Sequence, residues 1–257
     1  MKALKLLFVC LLAFSFSGCF EMNEEFVVKE NGTGNFAVNM DMGQLLDMMK
    51  AFMPPEELEK MSQGGNKDTT IQMKDLVDTS TAISADKKAI LRDGSLRLQM
   101  NMDQKLFKVD MLYPFKNMDN LQKLYGSLGD GANGMGGLMK GLGGNSPVPG
   151  GRQPDMKQVS SFFDLVTKKN TISRKLNKDK YAGLLADSMM MQMRQMGSMG
   201  GGLGEVKLNT VIKLPAAAKN LTGSKAELSV DKKTVMIKNN LQDVFDHPEA
   251  FEFSVEY

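Results

Sequence analysis

The residues best suited to chemistry are methionines that cluster near position 190. Met190, Met193, Met196 and Met199 follow one another at intervals of three, so consecutive members are neighbours on a helix. Thioether sulfur is a soft ligand that suits Cu(I), and methionine sites can work in an oxidising compartment without cysteine. The spacing therefore indicates Cu(I) handling as one alternative.

The same methionines also suit an apolar contact. Methionine is abundant throughout the chain, with 23 residues in all, and it often replaces leucine as an adaptable apolar side chain. Between Tyr181 and Met196 the only charged residues are Asp187 and Arg194. A helix here would be apolar around more than one face, so it would have to be buried or contact an apolar partner. The residues predicted to make this contact are Leu184, Leu185, Met189, Met190, Met193 and Met196.

Most catalytic chemistry is excluded by composition. The chain has one histidine, His247, which removes nearly all catalytic triads, metal hydrolases and imidazole acid–base sites. The sequence contains no G-x-S-x-G motif, no phosphate-binding loop and no metal-spaced set of histidines and cysteines. We therefore predict a non-enzymatic protein without a cofactor. A carboxylate-dependent hydrolase is an alternative that no constellation of residues supports.

The first residues have the composition of an export signal. Lys2 and Lys5 precede an apolar run from Leu6 to Phe16, which is shorter than the roughly 20 residues that span a bilayer. The run ends in Phe16-Ser17-Gly18-Cys19, which resembles the bacterial lipoprotein box except that Phe16 replaces the usual aliphatic residue. The resemblance implies that Cys19 becomes the acylated N-terminus. Ordinary signal-peptide cleavage and an uncleaved anchor are the alternatives.

The cysteine and charge counts agree with lipidation at Cys19. The other cysteine, Cys10, lies in the apolar run, so removal of residues 1–18 leaves a single cysteine and no disulfide. Several acyl chains on one residue provide a stable membrane anchor. Loss of Lys2 and Lys5 changes 32 basic and 30 acidic residues to 30 of each, a balance that argues against nucleic-acid binding.

These observations predict a lipid-anchored protein of the bacterial cell envelope. We assign residues 1–18 to a signal peptide and residues 19–25 to an acylated tether. We place the protein at the outer membrane, on either its periplasmic or its outer surface. The acidic residues Glu21, Glu24 and Glu25 resemble the surface-export signal of Bacteroidetes lipoproteins. A solvated tether is the alternative.

The remaining chain has the pattern of an α+β domain. Alternating apolar residues on both sides of Asn31-Gly32 predict a hairpin, and a second hairpin is predicted over 96–113. Strands are also predicted over 69–73, 171–176, 206–214, 226–230, 234–238 and 251–257, and helices over 45–52, 118–128, 155–166 and 179–196. Without a βαβ rhythm, this order favours an antiparallel sheet covered by helices on one face. Residues 26–257 are predicted to form this single domain.

Glycine marks an insertion within the predicted domain. Residues 126–151 and 197–204 hold sixteen of the 25 glycines, interleaved with methionine and leucine. Glycine at this density does not sustain a helix or a strand. We therefore predict a flexible Gly/Met-rich insertion over about 126–205, with helical segments between its glycine-rich parts.

Both ends of the mature chain resemble the LppM-like bacterial lipoproteins. The similar segments are Glu25–Val28 with Asn31–Phe36, then Lys213-Leu214-Pro215, Ala226–Ile237 and the closing strand Phe251–Tyr257. The resemblance implies an exported α+β lipoprotein domain that handles lipid or glycolipid at the envelope, without a catalytic centre. The main hypothesis is a binding or scaffold module for an apolar ligand, a lipid or an envelope protein partner.

Overall fold

The computed structural model describes residues 20–43, 46, 56, 66–81, 83–129, 161–186, 191, 194–195 and 206–257. The predicted signal peptide, Cys19 and most of the helix predicted over 45–52 lie outside these residues. The strands are β1 (Glu21–Val28), β2 (Gly34–Asp41), β3 (Lys67–Gln72), β4 (Ser95–Asn101), β5 (Leu106–Phe115), β6 (Phe163–Lys168), β7 (Thr171–Leu176), β8 (Lys207–Lys213), β9 (Asn220–Thr222), β10 (Ala226–Leu228), β11 (Thr234–Asn240) and β12 (Phe253–Glu256). The helices are α1 (Met73–Val77), α2 (Ala85–Leu91), α3 (Met118–Gly129), α4 (Lys178–Leu185) and α5 (Leu241–Asp246), followed by a 3₁₀ turn at Pro248–Phe251.

Eight strands form the larger sheet, in the order β10-β11-β8-β1-β2-β5-β4-β3. The two predicted hairpins, β1–β2 and β4–β5, are confirmed as antiparallel pairs. Gly32 adopts φ +77° in the first turn, a conformation that glycine reaches at little cost. The sheet is not wholly antiparallel, because β1 and β8 run parallel at its centre. A parallel pair needs a long connection, and here the chain between β1 and β8 provides it.

Alternation along the strands gives the larger sheet one buried face. In β1 and β2 every second side chain is buried, including Phe26 and Phe36, whose ring centroids lie 4.7 Å apart. Helix α3 covers these rings with Tyr125, 6.0 Å from Phe26 between centroids. The helix predicted over 118–128 is therefore confirmed, and it packs by its apolar stripe.

The rest of the cover is a second sheet, so the prediction that helices alone cover one face is not confirmed. Four strands form it in the order β6-β7-β12-β9. The predicted helix over 155–166 is wrong at residues 163–166, which belong to β6. Phe163 and Leu165 are buried and the residues that follow each of them are exposed, a period of two that defines a strand.

The second sheet also corrects the predicted insertion. Strand β7 pairs with β12 near the end of the chain, and the Thr167 hydroxyl donates to the Met118 carbonyl of α3 at 2.9 Å. Strands β6 and β7 are thus part of the folded core, and helix α4 follows them on the surface. The two glycine-rich segments fall largely outside the described residues.

The predicted tether is likewise shorter than expected. Strand β1 begins at Glu21, and Glu24 is 2% exposed. Residues 21–25 are therefore part of the central sheet and not a solvated linker. Among the described residues, no helix has the length and apolar character needed to cross a membrane.

Candidate functional site

A charged pair lies buried between the two sheets. Arg174 of β7 is fully buried, and its Nη1 donates to Oε2 of Glu24 in β1 at 2.7 Å. Strand alternation places both side chains on the facing surfaces of their sheets. Because buried charges are stable only when paired and hydrogen-bonded, this contact fixes how the sheets meet.

Two further donors of Arg174 are also used. Its Nε donates to the Phe251 carbonyl at 2.8 Å, and its Nη2 donates to the Thr210 hydroxyl at 3.1 Å. The guanidinium carbon lies 5.6, 5.9 and 5.1 Å from the ring centroids of Phe163, Phe251 and Phe253. Aromatic faces attract a cation, and they attract it more strongly where water is excluded. Arg174 therefore joins both sheets and the 3₁₀ turn.

Burial governs the electrostatics of this centre. Removal from water raises the pKa of Glu24 above its usual range, and the positive charge of Arg174 opposes that rise. The space beside Glu24 is too small for a water molecule; Met22, Leu208, Asn209, Thr210 and Phe251 line it. Both charges are closed off from solvent, so the pair contributes to the packing of the two sheets.

Only part of this centre could be predicted from local sequence patterns. The strand over 171–176 was predicted, but an arginine in a strand is most often exposed. Glu24 has the same alternation as Phe26 and Val28, which was the available signal for an inward position. Its partner lies 150 residues away in sequence, so no local pattern could pair them.

A second candidate site is the surface formed by helices α4 and α5. The Tyr181 hydroxyl donates to the carbonyls of Val244 and Phe245 at 3.0 and 3.1 Å. Further along the chain, Arg194 pairs with Asp246 at 3.0 Å and lies 5.8 Å from the Phe245 ring centroid. The segment predicted to be an apolar contact is therefore held against α5 at two points.

Two apolar side chains are exposed between these points. Leu185 is 40% exposed and Met191 is 42% exposed. We call Leu185 and Met191, together with Tyr181, Arg194 and Phe245, the α4–α5 surface. Both exposed side chains are available for an apolar contact.

The other predicted contact and copper residues lie outside the described residues. They are the side chain of Leu184 and the residues Met189, Met190, Met193, Met196 and Met199. The Cu(I) hypothesis therefore stays a prediction. Within the described part of the chain, no group of three His, Cys, Asp or Glu side chains is arranged to hold a metal ion. His247 is exposed, with its Nδ1 3.3 Å from Oε1 of Glu249.

Comparison with known proteins gives one weak structural likeness. No family model and no curated protein matches this chain. Among solved structures, the folded domain of Mycobacterium tuberculosis LppM, determined by NMR, aligns over 94% of this chain and 92% of that chain with 8% identity and a TM-score of 0.35. This is a weak structural resemblance to a mycobacterial lipoprotein domain, and at this score it assigns no residue and no ligand to the chain.

Proposed function

We propose that this chain is a lipid-anchored lipoprotein of the bacterial cell envelope, held at the outer membrane by acylated Cys19. Its folded domain binds an apolar partner and catalyses no reaction. The observation that carries the binding role is the exposure of Leu185 and Met191 on the α4–α5 surface. The anchor is motivated by the Ser17-Gly18-Cys19 sequence.

The α4–α5 surface has the properties of a contact site. Complete burial of a Leu or Met side chain is worth about 1.5–3 kcal/mol, so covering the exposed part of each would contribute on the order of 1 kcal/mol. The hydroxyl of Tyr181 holds α4 against α5 in advance, which lowers the entropy lost on binding at Leu185. Such a surface gains from association and carries no reactive group.

An envelope protein is the partner that this surface fits best. The concavities beside Glu24 and beside Lys225 do not include Leu185 or Met191. A small apolar ligand needs a concave site that buries most of its area, whereas the face of a second protein can cover side chains that stand on a surface. A lipid or another apolar ligand is the alternative.

Site-specific photo-crosslinking in the native envelope tests the binding role. A photoreactive residue at position 185 or 191 is expected to capture a discrete partner. The matched control is position 230, because Val230 is an apolar residue that is fully exposed in the turn between β10 and β11. Equal capture at all three positions, or none at 185 and 191, would contradict the assignment of this surface.

Metabolic labelling with an alkyne-bearing fatty acid tests the anchor separately. The wild-type chain should incorporate the label, and a Cys19→Ala variant should not. Because removal of residues 1–18 leaves no other cysteine, label retained by the variant would show that the acyl group is elsewhere or absent from this position.

A further inference from the structure

One end of the eight-stranded sheet carries an uninterrupted row of apolar residues. Strand register places one core-facing residue of each of six neighbouring chain segments at the same level, just beyond the last paired residues of β1 and β8. We call these residues the apolar end row: Leu241, Val206, Phe20, Met42, Phe107 and Met100. The sequence pattern alone did not reveal the row, because its members come from four separate stretches of the chain.

Backbone hydrogen bonds hold the row at one level. Leu241 N–H donates to the Val206 carbonyl at 2.9 Å, and Met42 N–H donates to the Phe107 carbonyl at 2.8 Å. Phe20, in the middle, accepts from Lys207 N–H at 2.8 Å. The row therefore continues the sheet by one residue and is not a set of loose ends.

The side chains of this row are more exposed to solvent than those at the next core-facing level of the sheet. Met42 is buried, but the other five members of the row are only partly buried. At the next core-facing level Met22, Met40, Leu208 and Val109 are all buried. The hydrophobic core thus reaches the end of the sheet with part of its apolar surface still exposed.

The position of Cys19 identifies what covers this end. Phe20 follows Cys19 directly, so their Cα atoms are about 3.8 Å apart. The interfacial layer on each side of a bilayer is about 5–7 Å thick. If Cys19 carries acyl chains, Phe20 lies at headgroup depth and its neighbours in the sheet lie at the same level.

We infer that the apolar end row contacts the lipid bilayer, so that the domain stands on the membrane by this end of the eight-stranded sheet. The inference rests on the proposed acylation of Cys19. It adds an orientation and a second contact surface, formed by Phe20 and the partly exposed residues around it. Strand β1 begins directly after Phe20, which leaves no linker to let the domain turn away.

Charges beside the row indicate which lipid composition is needed for contact with the bilayer. One residue further along the sheet, on its opposite face, lie Lys207, Glu21, Asp41 and Lys108. Strand β3 adds Lys67 beside Met100 and Asp68 at the next level, which makes three positive and three negative residues in all. Lys108 pairs with Asp41 at 3.3 Å. Because these charges are balanced, contact between the row and the bilayer should depend on burial of the apolar side chains and should not require anionic lipid.

The two ends of β1 are far enough apart for a spectroscopic test. Eight residues at about 3.3 Å each make the strand about 26 Å long. The turn of residues 102–105 between β4 and β5 projects past the apolar end row, and Gln104 is exposed there. Glu30, in the turn after β1, is exposed at the opposite end and provides the matched control.

The experiment uses the acylated full-length protein in vesicles of zwitterionic phosphatidylcholine. Gln104→Cys and Glu30→Cys are labelled separately with an environment-sensitive fluorophore, since the thiol of Cys19 is consumed by its thioether. Lipids bearing a headgroup quencher should extinguish most of the emission at position 104 and little at position 30. Raising the salt concentration should leave this difference unchanged.

Equal quenching at both positions, or stronger quenching at position 30, overturns the inference. Emission at position 104 that is unaffected by the quencher, in a protein that remains bound to vesicles, overturns it too, and shows that another part of the chain or a protein covers the row. Intact mass of the same sample separates these results from failure of the anchor. A free thiol at Cys19 would overturn the proposed function and, with it, this inference.

Discussion

Strand β1 connects two contrasting regions, one in which a charged residue is buried and one in which an apolar residue is partly exposed. Halfway along the strand, the charged side chain of Glu24 lies in the core with Arg174, away from water. Just before the strand begins, apolar Phe20 lies in the apolar end row with part of its surface exposed. The two positions are four apart in sequence, and both side chains point to the same face of the sheet.

The difference lies in where each region finds its partner. The buried charges find theirs within the chain, through the contacts of Arg174 with Glu24, Thr210 and Phe251. The apolar end row keeps exposed surface that would gain free energy from a further contact. The first region therefore concerns the stability of the domain, and the second concerns what the domain touches.

The largest expected effect comes from removing one buried charge. Arg174→Met should lower the free energy of unfolding by about 3–5 kcal/mol, because it leaves the Glu24 carboxylate buried without a counter-charge. Urea unfolding measures the change. The double variant Glu24→Leu with Arg174→Met should recover most of the loss, since an apolar pair replaces the charged one. A single variant as stable as the wild type would show that the pair does not hold the sheets together.

The pH dependence of the same variant sharpens the interpretation. Burial already raises the pKa of Glu24 above its ordinary value of 4.5, and loss of Arg174 removes the charge that opposes the rise. A raised pKa means that the folded protein binds the proton more tightly than the unfolded chain does. Arg174→Met should therefore be most stable below about pH 4.5 and lose stability as the pH rises through the folded-state pKa. Urea midpoints between pH 4 and pH 8 test this, and a variant that gains stability over that range would contradict it.

A buried polar group without a charged neighbour provides a smaller contrast. Tyr113 is 1% exposed, and its hydroxyl has no hydrogen-bond partner among the described residues. Burial raises the pKa of this phenol. Tyr113→Phe removes the hydroxyl and keeps the ring, so it should raise the free energy of unfolding by about 1 kcal/mol. A loss of stability in thermal or urea unfolding would mean that the hydroxyl has a partner.

The smallest effect on stability is expected from a change at the anchor. Insertion of about 20 Gly and Ser residues between Cys19 and Phe20 provides a flexible span of about 25 Å and should leave urea unfolding unchanged. The same insertion should reduce lipid quenching at position 104, because the domain can then leave the bilayer. Quenching as strong as in the parent protein would show that the short link does not set the orientation.

The parts of the fold that the sequence predicted are those determined by local pattern. The turn at Asn31-Gly32, the strand Thr171–Leu176 and the helix after Asn117 follow from alternation, turn chemistry and an apolar stripe within a few residues of each other. The start of β1 was missed because Glu24 was assumed to be solvated. Strand β6 was missed because its apolar residues, Phe163 and Leu165, also fit a short helix.

The candidate sites show the same limit. Composition predicts an apolar contact over Tyr181–Met196, and this stays a prediction; Leu185 of this segment is exposed. The contacts that hold this segment, from Tyr181 and Arg194 to α5, span about 50 to 65 residues of sequence and have no local signature. The apolar end row depends on strand register, which pairing across the sheet sets.

Lipid anchoring is tested most directly by the mass of the N-terminal peptide of the mature protein, isolated from membranes. We expect this peptide to begin at Cys19 and to carry a thioether-linked, acylated glycerol. A peptide that begins at Cys19 or elsewhere with an unmodified thiol would contradict lipid anchoring, and the proposed orientation of the domain would have to be abandoned with it.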